Sequence, residues 1–273
     1  MSYLDELFSV AGKKALVTGG ATGIGRMAAT ALVEAGADVM IASRKGEDCE
    51  KVAAELNALG ASGKAEGFAG DVGSEEGVTA LSGEVKKRTE GLDILINNAG
   101  LSWGAPLEEF PYSAWARVLN VNVTGLFHLT RELLPLLTKS ARFEDPSRII
   151  NLGSVMGTQP MADGAYSYTA SKAAVHHLTR TLANEFAEKF ITVNAFAPGP
   201  FQSRMTAFAT ATEEKAGIVA SHVPLRRIGA PSDIAGATLY LCSRAGSYVT
   251  GAILPIDGGE SVNHGMRLFK DAR

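Results

Sequence analysis

The sequence predicts a single α/β domain wound around a parallel sheet, and three features of the chain predict it. A short apolar strand at 13–18 runs straight into a glycine turn and then into an alanine-rich helix at 26–35. Apolar and charged blocks then alternate at a period of roughly 25 to 40 residues, the length of a strand–helix unit. The strand candidates are continuous apolar runs, as strands covered by helices on both faces must be. With 273 residues and 46% hydrophobic content, the chain can fill one large core.

In order, further strands are expected at 38–42, 65–69, 93–97, 148–152, 191–195 and 252–256. Helices are expected between them at 47–59, 75–89, 113–138, 168–189 and 232–242. No Pro/Ser-rich tract, charge block or internal repeat interrupts this alternation, so one domain should span 1–273. The longest irregular stretch, 198–224, has room for short helices and would lie at the carboxyl edge of the sheet, where long loops serve as lids or substrate walls.

Net charge is −3 and the basic residues are scattered, which excludes nucleic acid as an expected partner. Cys49 and Cys242 lie far apart and form no C-x-x-C pair or metal-ligand cluster, so reduced structural thiols and no metal are expected. The N-terminus is acidic, and no apolar run reaches the roughly 18 residues of a membrane span. A cytoplasmic enzyme is the resulting expectation.

The glycine turn carries the first chemical signal. Gly19, Gly23 and Gly25, with Thr22 and Ile24 among them, stand where backbone N–H groups must approach a pyrophosphate at a helix N-terminus. The second strand ends in Ser43-Arg44-Lys45 with no acid to bond the adenine ribose. A hydroxyl, a guanidinium and an ammonium there suit a 2′-phosphate, which predicts NADP(H) over NAD(H). The alternative is a solvated basic turn. Asp71-Val72, after the third strand, could cap the next helix or hold the adenine amino group. Asn98, Ala99 and Gly100, after the fourth, keep side chains small where backbone passes a cofactor.

Tyr168 and Lys172 are four residues apart, so on a helix they share one face. A phenol with a pKa of roughly 10 is a weak source of phenolate at neutrality, and a neighbouring ammonium favours the ionised form. Tyr166 offers a second phenol, six residues from Lys172 and off that face.

Together, Thr18-Gly-Gly-Ala-Thr-Gly-Ile-Gly25, Asn97-Asn-Ala-Gly100, Tyr168-Thr-Ala-Ser-Lys172 and Pro198-Gly199 resemble the short-chain dehydrogenase/reductase family over about residues 10 to 260. The resemblance implies a Rossmann-type, doubly wound parallel sheet of seven strands with helices on both faces, and hydride transfer from NADP(H) bound across its carboxyl edge. It assigns Ser154 to the serine that hydrogen-bonds the substrate oxygen and Tyr168 to the proton donor. Lys172 matches the residue that bonds the nicotinamide ribose, and Asn122 matches the asparagine that holds a water for proton relay. Pro198 and Gly199 fall in the cofactor set, and Ser203 stands where the family often has a threonine beside the carboxamide. His176 and His177 are expected to pack at a subunit contact.

Segments 97–104, 133–137 and 201–206 look most like the branch that reduces 3-oxoacyl chains with NADPH. The substrate, a small carbonyl or alcohol, would then be a β-keto acyl compound. Its wall would come from 102–106, 156–164 and the segment after Gly199, with Trp103 either lining it or filling core. The alternatives are an alcohol, polyol, sugar or steroid dehydrogenase with the same machinery, and a nucleotide-binding protein that has lost catalysis. The family also implies a homotetramer paired through the helices at 113–138 and 168–189, both apolar on more than one face.

Overall fold

The computed structural model describes residues 2–160, 164–203 and 205–262. Seven parallel strands form its sheet: β1 (Lys14–Thr18), β2 (Asp38–Ser43), β3 (Ala65–Ala69), β4 (Ile94–Asn97), β5 (Ser147–Leu152), β6 (Ile191–Pro198) and β7 (Ile253–Ile256). Their order is β3-β2-β1-β4-β5-β6-β7, so the chain winds outward from β1 and then reverses at β4. That reversal opens a crevice at the carboxyl ends of β1 and β4, where ligands of open α/β sheets bind.

Alternation along each strand builds two cores. Ala15, Val17, Ile94 and Ile96 face one side of the sheet and Leu16 and Leu95 the other. On the first side lie α2 (Gly23–Glu34), α3 (Gly46–Asn57) and α10 (Pro231–Cys242), with Leu32, Val52 and Ile234 buried there. The second core receives α4 (Glu75–Arg88), α6 (Leu126–Ser140) and α7 (Tyr166–Phe186) through Leu81, Leu133 and Leu182. The central strands β1, β2, β4, β5 and β6 are therefore buried on both faces, which is why no polar–apolar alternation marks them in the sequence, while the edge strands β3 and β7 are partly exposed.

One expected element differs from its sequence reading. The helix expected at 113–138 is α5 (Tyr112–Leu119), then a π turn (Asn120–Gly125), then α6. A tertiary contact demands the wider turn: a Cβ on Gly125 would stand 1.8 Å from the Val72 carbonyl oxygen, so backbone packs directly on backbone. The stretch 198–224 holds short helices, as its sequence allowed: α8 (Ala207–Thr210) and α9 (Glu213–His222). Thr212 caps α9 by accepting the Lys215 N–H, and no residue of α9 is buried. A short helix at the N-terminus, α1 (Tyr3–Phe8), buries none of its residues.

Candidate active site

The nucleotide half of the site is built where β1 and β4 end side by side. Gly19 adopts a φ of +65°, and a Cβ there would stand 2.8 Å from Asn98 Nδ2. Asn98 Nδ2 donates to the Thr18 and Gly19 carbonyls at 2.9 and 3.1 Å, while Thr18 Oγ1 accepts the Asn98 and Ala99 N–H groups at 3.1 and 3.0 Å. Glycine is needed because the two strand exits are bonded this closely.

In front of them lies a cleft of about 250 Å³ lined by Gly19, Thr22, Ser43, Arg44, Lys45, Asp71, Val72, Ala99 and Gly100. Gly23, Ile24 and Gly25 form the first turn of α2, whose N-cap, Thr22, makes no side-chain capping bond. The first-turn N–H groups of α2 thus suit a pyrophosphate, and the cleft lies where the adenosine end of a dinucleotide would sit. Pro198 ends β6, and Gly199 bonds back to the Ile256 carbonyl at 3.0 Å. Ser203 faces the glycine turn, since a Cβ on Gly23 would lie 3.1 Å from its Cβ.

Arg44 and Lys45 are exposed on the lip of the cleft. Ser43 Oγ lies 3.1 Å from Cys49 Sγ and donates to the Lys45 carbonyl at 3.2 Å, which fixes the turn that presents both cations. Of the two roles open to Asp71, helix capping belongs to another residue. Ser74 caps α4 by accepting the Gly77 N–H at 3.1 Å, while Asp71 Oδ1 takes the Gly73 N–H at 2.9 Å.

The second half of the site sits just beyond the end of β5. Ser154, Tyr168 and Lys172 converge there from β5 and the first turns of α7. Burial pushes the Tyr168 phenol above its ordinary value, and a hydrogen bond with Ser154 draws it partly back. Lys172 is buried, donates to the Leu152 carbonyl at 2.5 Å, and holds Nζ 5.4 Å from the Tyr168 ring centroid. Desolvation lowers its pKa to about 8. Tyr166, by contrast, is partly exposed and meets Phe110 edge to face at 5.2 Å.

Asn122 lies in the π turn with its side chain fully committed. Its Oδ1 accepts the Leu101 N–H at 2.9 Å, and its Nδ2 donates to the Leu101 carbonyl at 3.0 Å and to Ser171 Oγ at 2.9 Å. Gly100 joins the two halves: a Cβ there would be 3.4 Å from Asn122 Oδ1 and 3.7 Å from Lys172 Nζ. Beneath the site a buried chain of polar groups ties the layers together. Asn97 Nδ2 donates to Thr130 and Asn151, and Asn151 donates to Thr179, each at 3.0 Å.

His176 departs from its sequence reading. It is buried inside the chain beside Ser154, while His177 is exposed. The signal was available, because His176 follows Lys172 by four residues and so shares its helical face. Trp103 is 39% exposed with Arg117 5.8 Å from its ring, so it does not fill core. Residues 161–163 of the expected substrate wall, and Arg204, lie outside the described residues.

A cleft suited to a dinucleotide, with a tyrosine, a lysine and a serine gathered beyond its Gly100 edge, is the arrangement of an oxidoreductase that moves a hydride between cofactor and substrate. The comparisons with known proteins give this class its family. A family model described as enoyl-(acyl carrier protein) reductase matches residues 19–261. The rhamnolipids biosynthesis 3-oxoacyl-[acyl-carrier-protein] reductase of Pseudomonas aeruginosa is 45% identical over 94% of this chain and 99% of its own. Galactitol 2-dehydrogenase of Rhizobium johnstonii is 36% identical over 95% of this chain and 98% of its own. Among solved structures, the Pseudomonas aeruginosa RhlG/NADP active-site complex superposes with a TM-score of 0.89 at 44% identity, covering 94% of this chain and 99% of that one. The chain belongs to the short-chain dehydrogenase/reductase family.

Proposed function

We propose that this protein is an NADPH-dependent reductase of a 3-oxoacyl or related ketone substrate, working as one dinucleotide-binding and catalytic domain. The observation that carries the reading is the convergence of Ser154, Tyr168 and Lys172 at the end of β5, beside a cleft whose lip presents Arg44 and Lys45. When bound there, NADPH supplies the hydride. Arg44 clamps the 2′-phosphate, Lys45 adds charge, and the N-terminus of α2 receives the pyrophosphate. Asp71 Oδ1 takes the Gly73 N–H, and Oδ2, without a hydrogen-bond partner among the described residues, is the oxygen to accept from the adenine amino group.

Ser154 and Tyr168 hold the substrate carbonyl oxygen between two hydroxyl donors, so negative charge that develops there is met by preorganised hydrogen bonds. The Tyr168 phenol, kept protonated by burial, gives its proton to that oxygen. Lys172 then stabilises the phenolate and bonds the nicotinamide ribose. Because the Asn122 side chain is spent on Leu101 and Ser171, its main chain in the π turn is the group left to hold the relay water. A protein that only bound nucleotide would have no use for a lysine buried at the energetic cost Lys172 carries.

The acyl preference has its own support. The segment that begins at Ser203, beside the glycine turn, exposes Met205, Phe208 and Ile218, an apolar wall suited to a chain and not to a polyol. NADPH oxidation assayed with 3-oxoacyl thioesters, sugars, steroids and small ketones tests this. Turnover is expected on the 3-oxoacyl thioesters, and activity confined to sugars or polyols would overturn it.

The assembly is a homotetramer in this reading. Between α6 and α7 a groove of about 280 Å³ exposes Phe127, Leu134 and Leu178, an apolar strip available to a second copy. Sedimentation giving a stable monomer would refute it. The enzyme is placed in the cytoplasm, consistent with two buried free cysteines. Among the described residues, no helix is long and apolar enough to cross a membrane.

A further inference from the structure

His176 and Thr158 flank the turn that carries Ser154, and neither takes part in the chemistry above. Ser154, two residues beyond β5, caps the single 3-10 turn Val155–Gly157, its Oγ accepting the Met156 N–H at 3.2 Å. The His176 imidazole lies under that turn. A Cβ on Gly153 would stand 2.2 Å from His176 Nε2, and one on Gly157 would stand 2.7 Å from Cε1. The ring therefore occupies the space that both glycines leave, one before Ser154 and one at the end of its turn.

Its two nitrogens have separate partners. Nε2 lies 3.4 Å from the Ser154 backbone nitrogen, and Nδ1 lies 3.3 Å from Thr158 Oγ1. A backbone N–H can only donate, so Nε2 must accept. The ring proton then sits on Nδ1 and points to the Thr158 hydroxyl, which fixes the tautomer. An imidazolium would set a second N–H against the Ser154 N–H, so only the neutral ring fits.

We propose that His176, oriented by Thr158, is a positioning residue for Ser154: its neutral imidazole holds the serine backbone so that Oγ meets the substrate oxygen together with Tyr168. The inference rests on the reading of Ser154 as a hydrogen-bond donor to that oxygen. No contact between His176 and substrate or cofactor is implied, so its effect should fall on the chemical step and spare cofactor binding. A displacement of the donor by about 1 Å is enough to cost about 100-fold in rate.

The test uses His176→Leu, His176→Gln and Thr158→Val, each alone and in a Ser154→Ala background. kcat is measured with a 3-oxoacyl thioester, and NADPH affinity by fluorescence titration. Imidazole nitrogen-15 shifts and Ser154 amide exchange are read in the protein without cofactor. His176→Leu is expected to lower kcat by about 10- to 100-fold with NADPH affinity unchanged. His176→Gln, whose amide oxygen and nitrogen repeat the acceptor–donor pair, should restore most of that loss, and Thr158→Val should show a smaller version of it. In the Ser154→Ala background all three should add little, because they act through one group.

The nitrogen shifts should show the Nδ1–H tautomer, and the Ser154 amide should exchange faster in His176→Leu. An Nε2–H tautomer, an unchanged kcat in His176→Leu, or an equal further loss in the Ser154→Ala background would overturn the proposal. If His176→Leu fails to fold, the tautomer and the His176→Gln and Thr158→Val rates still decide it. Full activity of Ser154→Ala alone would instead overturn the reading of Ser154, and the tautomer measurement separates that failure from this one.

Discussion

Replacing Lys172 by methionine should make the protein without cofactor more stable while abolishing its activity. The ammonium is only 5% exposed, and desolvation brings its pKa from 10.5 down to about 8. At 1.36 kcal/mol per pH unit, that displacement corresponds to about 3 kcal/mol spent on keeping the charge in the fold. The sign follows from the direction. The folded pKa lies below the unfolded one, so the unfolded chain holds the proton more tightly. The penalty is complete below pH 8, declines between pH 8 and 10.5, and is gone above. Against it stands the bond from Nζ to the Leu152 carbonyl, whose loss leaves a buried acceptor unpaired at a cost of about 1 to 3 kcal/mol. Methionine keeps the apolar stem, so a net gain of about 1 kcal/mol remains at pH 7, or about 2 to 4 °C in Tm. Urea denaturation at pH 7 and pH 10, at one protein concentration, measures it. A Lys172→Met protein less stable than the parent by more than about 1 kcal/mol at pH 7, or a difference that does not shrink toward pH 10, would refute the reasoning.

Other perturbations have equally definite outcomes. Tyr168→Phe should lower kcat by about 100- to 10,000-fold by removing the general acid, whereas Tyr166→Phe, altering a phenol that packs on Phe110, should leave it within a few-fold of the parent. Arg44→Ala should weaken NADPH binding by about 10-fold or more and leave NADH binding nearly unchanged, a contrast that calorimetric titration resolves. His176 has its pKa lowered to about 4, mainly by burial and then by Lys172 and Arg180, so its folded value lies below the unfolded 6.5. Its contribution is therefore lost as pH falls from 6.5 to 4, and His176→Gln should flatten the denaturation profile across that window.

How much of this was legible in the chain depended on the range of the interactions. The expected strand at 65–69 coincides with β3, and every other expected strand overlaps its counterpart, because a buried parallel strand advertises itself by composition alone. Tyr168 and Lys172 could be paired from spacing, since helical geometry sets it locally. The π turn left no such mark: its cause is the Val72 carbonyl, about fifty residues away in sequence, which reaches Gly125 only in the folded chain. Ser74 as the α4 cap was readable from Ser74-Glu75-Glu76-Gly77, a capping serine followed by two acids in the first turn. For His176, the shared face with Lys172 was visible, while its partners Ser154 and Thr158 arrive from β5 and the turn beyond it. Distance in sequence hid them.

The π turn at Asn120–Gly125 also bears on how this chain can be altered. One residue beyond the α-helical count rotates everything after it by about 100°, so α5 can address α7 while α6 addresses α4. Removing a single residue from this turn would restore regular hydrogen bonding and raise local helicity. It would also swing Asn122 off Leu101 and withdraw Gly125 from the Val72 carbonyl. Length is guarded in this segment alongside Asn122 and Gly125: exposed side chains such as Thr124 should tolerate exchange, whereas a single-codon deletion should yield a more regular helix in a weaker enzyme.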